Sequence, residues 1–358
     1  MNVESYHLPI EAKYLSRIQR ILRENEIFCA CDENFDYYDV ATYLRGCAYY
    51  GTKVYALCDR NILNDILSLT RPAAQGRVEP CNKRGRIGAA IMVFLQCANI
   101  NIEPNIALYE HPTTAESDLM LFRQADSVAA AIYLQVALGL ADHIPPNSLP
   151  LLNEQPPAVD FSMRLTGRQK FRIALMKIAE LDLIPVPPFE KMKRFLSWCH
   201  GDFCFLASPT LLAALHFTPH RKLTILKNLR SADRNKVMES IQNAVWDIHL
   251  VFEWSSQVGK HGKEKRFWLL CSRDAALKRI ARLMFVDDNE DAADRRLTDI
   301  LTNHWGKEQG AAIYEMLRDY RKNDTDPTRA ANQNKPTSYL DRLEQDLEEK
   351  LLRWKPDQ

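Results

Sequence analysis

The sequence predicts an α/β fold built on a mainly parallel sheet, and three observations carry that expectation. Two apolar runs, "TKVYALCD" and "FWLLC", read as buried strands, and each leads directly into a helix. "NINIEP" is a third, alternating strand candidate that follows the buried helix "RIGAAIMVFLQCA". Amphipathic helical stretches fill most of the remainder.

The elements follow in order. Residues 1–49 carry mixed helix and turn signals, and "TKVYALCD" ends at Asp59 before the helical spacing of "NILNDILSL". A polar loop with Pro72, Gly76 and Pro80 precedes the buried helix, and Pro104 suits the first position of "PNIALYEH". One long apolar helix is expected from Ser117 to Leu140. The stretch from Thr166 to Arg230 reads as helices punctuated by prolines, and Ser231 reads as the N-cap of a helix reaching Trp254. Its apolar stripe is Val237, Ile241, Val245, Ile248 and Phe252. After the strand "FWLLC", Asp274 opens another helix, and helical signals resume past the acidic run "VDDNEDAAD".

With 358 residues, about two structural units are expected, and 46% apolar residues with 12 glycines provide ample core. The apolar run 87–100 is broken by Gln96 and is too short to span a bilayer. Glu4, Glu11 and Lys13 are unlike a secretory signal, and nine irregularly spaced cysteines suit a reducing compartment. The expectation is a soluble cytoplasmic protein with no membrane partner.

The net charge of +1 conceals an asymmetry: residues 164–282 hold 22 Lys and Arg against 10 Asp and Glu, a local net of +12, which leaves −11 for the rest. A basic middle segment is the footprint of a polyanionic partner, with solvated helix faces as the plainer alternative. Cys29 and Cys31 near His7 lack the second cysteine pair of a zinc site. His200, His216 and His220 read as ordinary core or surface histidines, and no Gly-rich phosphate loop occurs.

Asp59 and Asp274 share one grammar, each standing where a strand gives way to a helix. At the carboxyl ends of parallel strands, two such acids would repel unless a cation held them. Hard oxygen ligands suit Mg²⁺ or Mn²⁺. For either residue alone, helix capping is a sufficient explanation.

With these residues in place, the sequence resembles the PIN-domain family of metal-dependent nucleases. "ALCDRN" matches the first acid with a polar residue close behind, as Asp59 and Asn61; "EPNIALYE" offers Glu110; "NAVWDIHL" supplies Asp247; and "SRDAAL" matches the last turn as Ser272, Asp274 and Leu277. The resemblance covers roughly 50–120 and 231–287, with 136 residues between Glu110 and Asp247. It implies a three-layer α/β/α core with a mainly parallel sheet, a large helical insertion and a C-terminal helix. The implied organisation is an N-terminal extension (1–49), a core in two parts (50–120 and 231–287) around an insertion (121–230), a helical extension (288–322), a polar linker (323–338) and a terminal amphipathic helix (339–358).

The resemblance also implies phosphodiester hydrolysis, with Asp59, Glu110, Asp247 and Asp274 holding Mg²⁺ or Mn²⁺ and with Asn61 and Ser272 positioning them or the substrate. RNA is the implied substrate. Lys260, Lys263, Lys265 and Arg266, in the turn before the last strand, would meet its phosphates. A catalytically silent nucleic-acid-binding or scaffolding protein is the alternative. A toxin-like or defence effector, controlled by a regulatory protein or by self-association through the terminal helix, is a third reading, with simple packing of that helix on the parent domain as the equal alternative. The linker's low apolar content suggests a terminal helix separable from the fold.

Overall fold

The computed structural model describes residues 7–30, 35–150, 159–161, 165, 167–220, 225–260, 264–284, 290–322 and 327–355. In chain order the elements are α1 (Ala12–Glu24), β1 (Phe28–Cys29), α2 (Val40–Tyr50), β2 (Lys53–Cys58), α3 (Arg60–Ala74), α4 (Lys83–Ala98), β3 (Ile100–Glu103), α5 (Asn105–Tyr109), α6 (Pro112–Asp126) and α7 (Ala130–Ala137). They continue with α8 (Arg168–Leu183), α9 (Pro188–Gly201), α10 (Ala207–Phe217), α11 (Arg234–Val258), β4 (Arg266–Cys271), α12 (Ala275–Met284), α13 (Glu290–Trp305), α14 (Lys307–Lys322), α15 (Pro327–Gln333) and α16 (Thr337–Arg353). Among the described residues, no helix is long and apolar enough to cross a membrane.

The chain divides into two compact units: Met1–Met163 with Trp254–Lys278, and Arg164–Glu253 with Arg279–Gln358. The first unit carries the sheet, in the order β1–β4–β2–β3. β2 runs parallel to both β4 and β3, and β1 pairs antiparallel with β4. The expected mixed α/β class with a mainly parallel sheet is therefore present. In β2, Val54, Ala56, Leu57 and Cys58 are all buried. A strand covered on both faces needs a continuous apolar run, which is what "VYALC" provides. α4 is buried along almost its whole length and lies against α3. Gly88 permits that approach, since a Cβ there would stand 3.0 Å from the backbone carbonyl of Asp65.

The second unit is helical in its described residues. Its terminal helix α16 packs on α8 and buries Leu340, Leu347 and Leu351. Arg172 pairs with Glu344 and, at 3.0 Å, with Glu348. Gln169 donates to Asp341 at 2.7 Å and to Glu344 at 2.8 Å. Packing on the parent domain, the alternative to partner docking for this helix, is what these residues make.

Other expectations are also corrected. The segment expected as an N-terminal extension supplies β1 to the sheet. The boundary expected at residue 121 falls inside α6, and the first unit continues to Met163. The single helix expected from Ser117 to Leu140 is two helices, because Val128 lies in a turn whose carbonyl accepts from Gln96 at 2.9 Å. Pro72, expected in a loop, lies within α3. Asp233 caps α11 in place of Ser231, accepting from the backbone N–H of Asn235 at 3.2 Å. Phe252 is exposed, outside the buried stripe of α11. The expected linker contains α15, held where buried Asn332 donates to the carbonyl of His200 at 2.6 Å; residues 323–326 lie outside the described residues.

Since α16 is part of its unit, Leu347→Ala should destabilise the protein by roughly 2–5 kcal/mol in denaturant unfolding. An unchanged midpoint would return the helix to the status of a detachable appendage.

Candidate functional site

Parallel pairing of β2 with β4 runs in register from Lys53↔Arg266 to Cys58↔Cys271. The next residues, Asp59 and Ser272, therefore leave the sheet side by side. The Asp59 N–H donates to the Cys271 carbonyl at 3.0 Å, and the Ser272 N–H donates to the Ile27 carbonyl at 3.0 Å. The residue just ahead of β1 thus pins the turn that carries the second acid.

Asp59 occupies the N-cap position of α3, yet its side chain makes no capping hydrogen bond. It is 8% exposed and accepts from the Ser272 hydroxyl at 2.5 Å and from the Asn61 side-chain amide. Burial pushes its carboxyl above the usual range, and the negative charge of Asp274 acts in the same direction; the Ser272 hydroxyl and the N–H dipoles of Arg60 and Asn61 oppose the shift. Asp274 behaves differently. It caps α12, accepting at Oδ1 from Ala276 at 2.7 Å and Leu277 at 3.0 Å, while its own N–H donates to the Ser272 hydroxyl at 2.9 Å. Asn61 completes the link: its Oδ1 accepts from the Arg273 N–H at 3.2 Å.

The nearest arginines in sequence are committed elsewhere. Arg60 and Arg71 both hold buried Asp118, at 2.7 and 2.8 Å, and Thr114 donates to it at 3.0 Å. Arg273 pairs with buried Asp65 at 2.8 Å, although burial still pushes the Asp65 carboxyl up to about 6 against the pull of Arg273 and Arg84. Among the described residues, no Lys, Arg or His forms an ion pair with Asp59 or Asp274, whereas Asp65 has one and Asp118 has two. Sequence reading missed these two clamps. Their signal is visible afterwards: an arginine directly follows Asp59 and another directly precedes Asp274, and Asp65 interrupts an apolar helix face.

Two further expected acids stand on other elements. Glu110 is half-buried at the C-terminal end of α5, and Asp247 is half-buried on α11 in the second unit. Among the described residues, no three His, Cys, Asp or Glu side chains form a metal-binding group. What is present suits a divalent cation held by one or two protein carboxylates, with water and phosphate completing its shell. Asp118, eight residues after Glu110, is neutralised by its arginines.

The basic turn lies elsewhere too. Lys260, Lys265 and Arg266 are exposed, and Lys263 lies outside the described residues. Arg266 opens β4, and the Lys53 N–H donates to the Lys265 carbonyl at 2.9 Å. These cations stand where the parallel strands begin, and the acids where they finish, about 20 Å away at ~3.3 Å per residue. Cys29 is buried in β1 and Cys31 lies outside the described residues; His216 is buried and His200 stacks on Tyr320.

Comparison with known protein families, curated proteins and solved structures found no match.

Two expectations follow from this geometry. For Asp59, a raised native pKa means that its contribution to stability is greatest below the unfolded value of about 4 and is lost as pH rises through the native value. Asp59→Asn should therefore melt higher than the parent protein at pH 7, with the gain shrinking as pH falls towards about 4. A gain independent of pH would show that its charge is not the cost. For Asp274, Asn keeps the cap, so Asp274→Asn should leave stability within about 0.5 kcal/mol while Asp274→Ala costs about 1 kcal/mol. Equal losses in chemical denaturation would contradict a capping role.

Proposed function

We propose that this chain is a metal-dependent nuclease with a PIN-like three-layer core, hydrolysing phosphodiester bonds, with RNA as the favoured substrate. The reading includes a cytoplasmic location. One observation carries it: Asp59 is a buried carboxylate with neutral hydrogen-bond donors and an acidic neighbour, at the carboxyl ends of parallel strands, where such sheets bind ligands. The buried acids Asp65 and Asp118 have arginine partners in the same unit. A bound Mg²⁺ or Mn²⁺ would supply the missing positive charge, Lewis acidity at phosphate and an activated water.

The chain's own groups would prepare that site. One Ser272 hydroxyl donates to the Asp59 carboxylate and accepts from the Asp274 backbone N–H, which ties the first acid to the turn that carries the second. Asn61 ties the start of α3 to the Ser272–Asp274 turn. By engaging Arg60 and Arg273, Asp118 and Asp65 leave the negative charge of the acid pair for a cation.

A catalytically silent nucleic-acid-binding or scaffolding protein is the second reading, favoured by the lack of a three-ligand group among the described residues. Labelled RNA and DNA incubated with Mg²⁺, Mn²⁺ or chelator separate the two. The nuclease reading expects metal-dependent cleavage, preferentially of RNA, that falls roughly 100-fold or more in Asp59→Asn and in Asp274→Asn. Binding without cleavage in any metal would establish the silent reading.

A further inference from the structure

We infer that the rim formed where β2 and β4 begin binds single-stranded nucleic acid, with Tyr50 and Tyr49 stacking on its bases. This names the form of substrate for the function proposed above and rests on its nucleic-acid half, but not on catalysis.

Tyr49 and Tyr50 end α2 and are 61% and 71% exposed. Gly51, at φ 63°, stops the helix there in a left-handed conformation and turns the chain into β2. Exposed aromatic faces at a fixed helix end are surfaces on which bases can stack. Three residues later comes exposed Lys53, at most ~11 Å along the chain from Tyr50.

Lys53 is in register with Arg266 and is bonded through its N–H to the Lys265 carbonyl. Lys265 holds φ 50°, a left-handed backbone unusual for a lysine, and its side chain is exposed. The Glu264 N–H donates to the Lys260 carbonyl at 3.2 Å, bringing a fourth exposed cation to the same turn. Glu264 itself is paired with Arg266 at 3.0 Å. Behind this rim, Tyr55 stacks on Trp268 with centroids 4.7 Å apart, and the Arg266 guanidinium lies 5.9 Å from the Tyr55 ring centre.

Cations interleaved with exposed rings define the partner's chemistry. Lysine and arginine meet a phosphate backbone, and aromatic faces meet bases. A duplex keeps its base faces stacked on one another, so exposed rings add affinity only for unpaired strands. An acidic polypeptide such as polyglutamate would meet the cations and offer the tyrosines no ring to stack on. The rim lies about 20 Å along the strands from Asp59 and Asp274, so it would grip the strand away from the reacting phosphate.

Fluorescence anisotropy in chelator, with labelled 12-nucleotide oligo(U), the corresponding duplex and polyglutamate as competitor, tests the inference without any cleavage. The expected result is tighter binding of the single strand than of the duplex, with little competition by polyglutamate. Tyr50→Ala should weaken single-strand binding about 5-fold or more, while Tyr50→Phe, which keeps the ring, should retain it. Lys265→Gln with Arg266→Gln should lower the salt slope by about 1.4, at 0.7 per phosphate contact. Equal affinity for duplex, full affinity in Tyr50→Ala, or effective competition by polyglutamate would overturn the inference. Single-strand binding with these mutant effects but no cleavage in metal would sustain the rim and refute the nuclease, and cleavage with unaffected Tyr50→Ala binding would do the reverse.

Discussion

The register of β2 on β4 is the constraint on which the rest of the candidate site depends. Because Cys58 faces Cys271 across a parallel ladder, the residues that follow them are forced together at one edge of the sheet. A slip of one residue would send the side chains of one strand to the opposite face and part Asp59 from Ser272. β1 adds a second restraint, since Ile27 accepts the Ser272 N–H. The short N-terminal strand thereby takes part in placing Asp274, far away in sequence.

At that edge, two aspartates that each stand just before a helix have different physical roles. Asp274 gives one carboxylate oxygen to the first turn of α12, a stabilising arrangement in the absence of any ligand. Asp59 makes no side-chain capping hydrogen bond, and its buried carboxylate accepts from the neutral Ser272 hydroxyl and Asn61 amide. A buried charge is tolerated when a partner compensates it, and the first unit does this for Asp65 and Asp118 with three arginines. Leaving Asp59 beside Asp274 sacrifices stability at neutral pH. A site that holds a cation transiently has a reason to accept that cost.

Much of this arrangement was legible in the sequence. The two strands and the acids at their ends follow from apolar runs broken by one charge, and Asn61 and Ser272 stand within two or three residues of them. Interactions across long separations were not legible. Arg60 with Asp118 and Arg273 with Asp65 join residues whose proximity depends on helix packing, and no local pattern states it. The β1 strand is only two residues long, too short for periodicity to reveal. The separation of the basic turn from the acids was not legible either, because charge is read along the chain, whereas the direction of β4 puts its start and its finish at opposite edges. The terminal helix was read correctly as amphipathic, but amphipathicity alone does not say whose surface covers the apolar face.

The central claim is that the charge of Asp59 is uncompensated by the protein and is available to a divalent cation. The most direct measurement is the Asp59 carboxyl pKa by carbon-detected NMR titration, assigned with Asp59→Asn, in chelator and in Mg²⁺. The account predicts a value above the ordinary aspartate range in chelator that falls when Mg²⁺ is added. An ordinary value in chelator, or one that Mg²⁺ leaves unchanged, would contradict it.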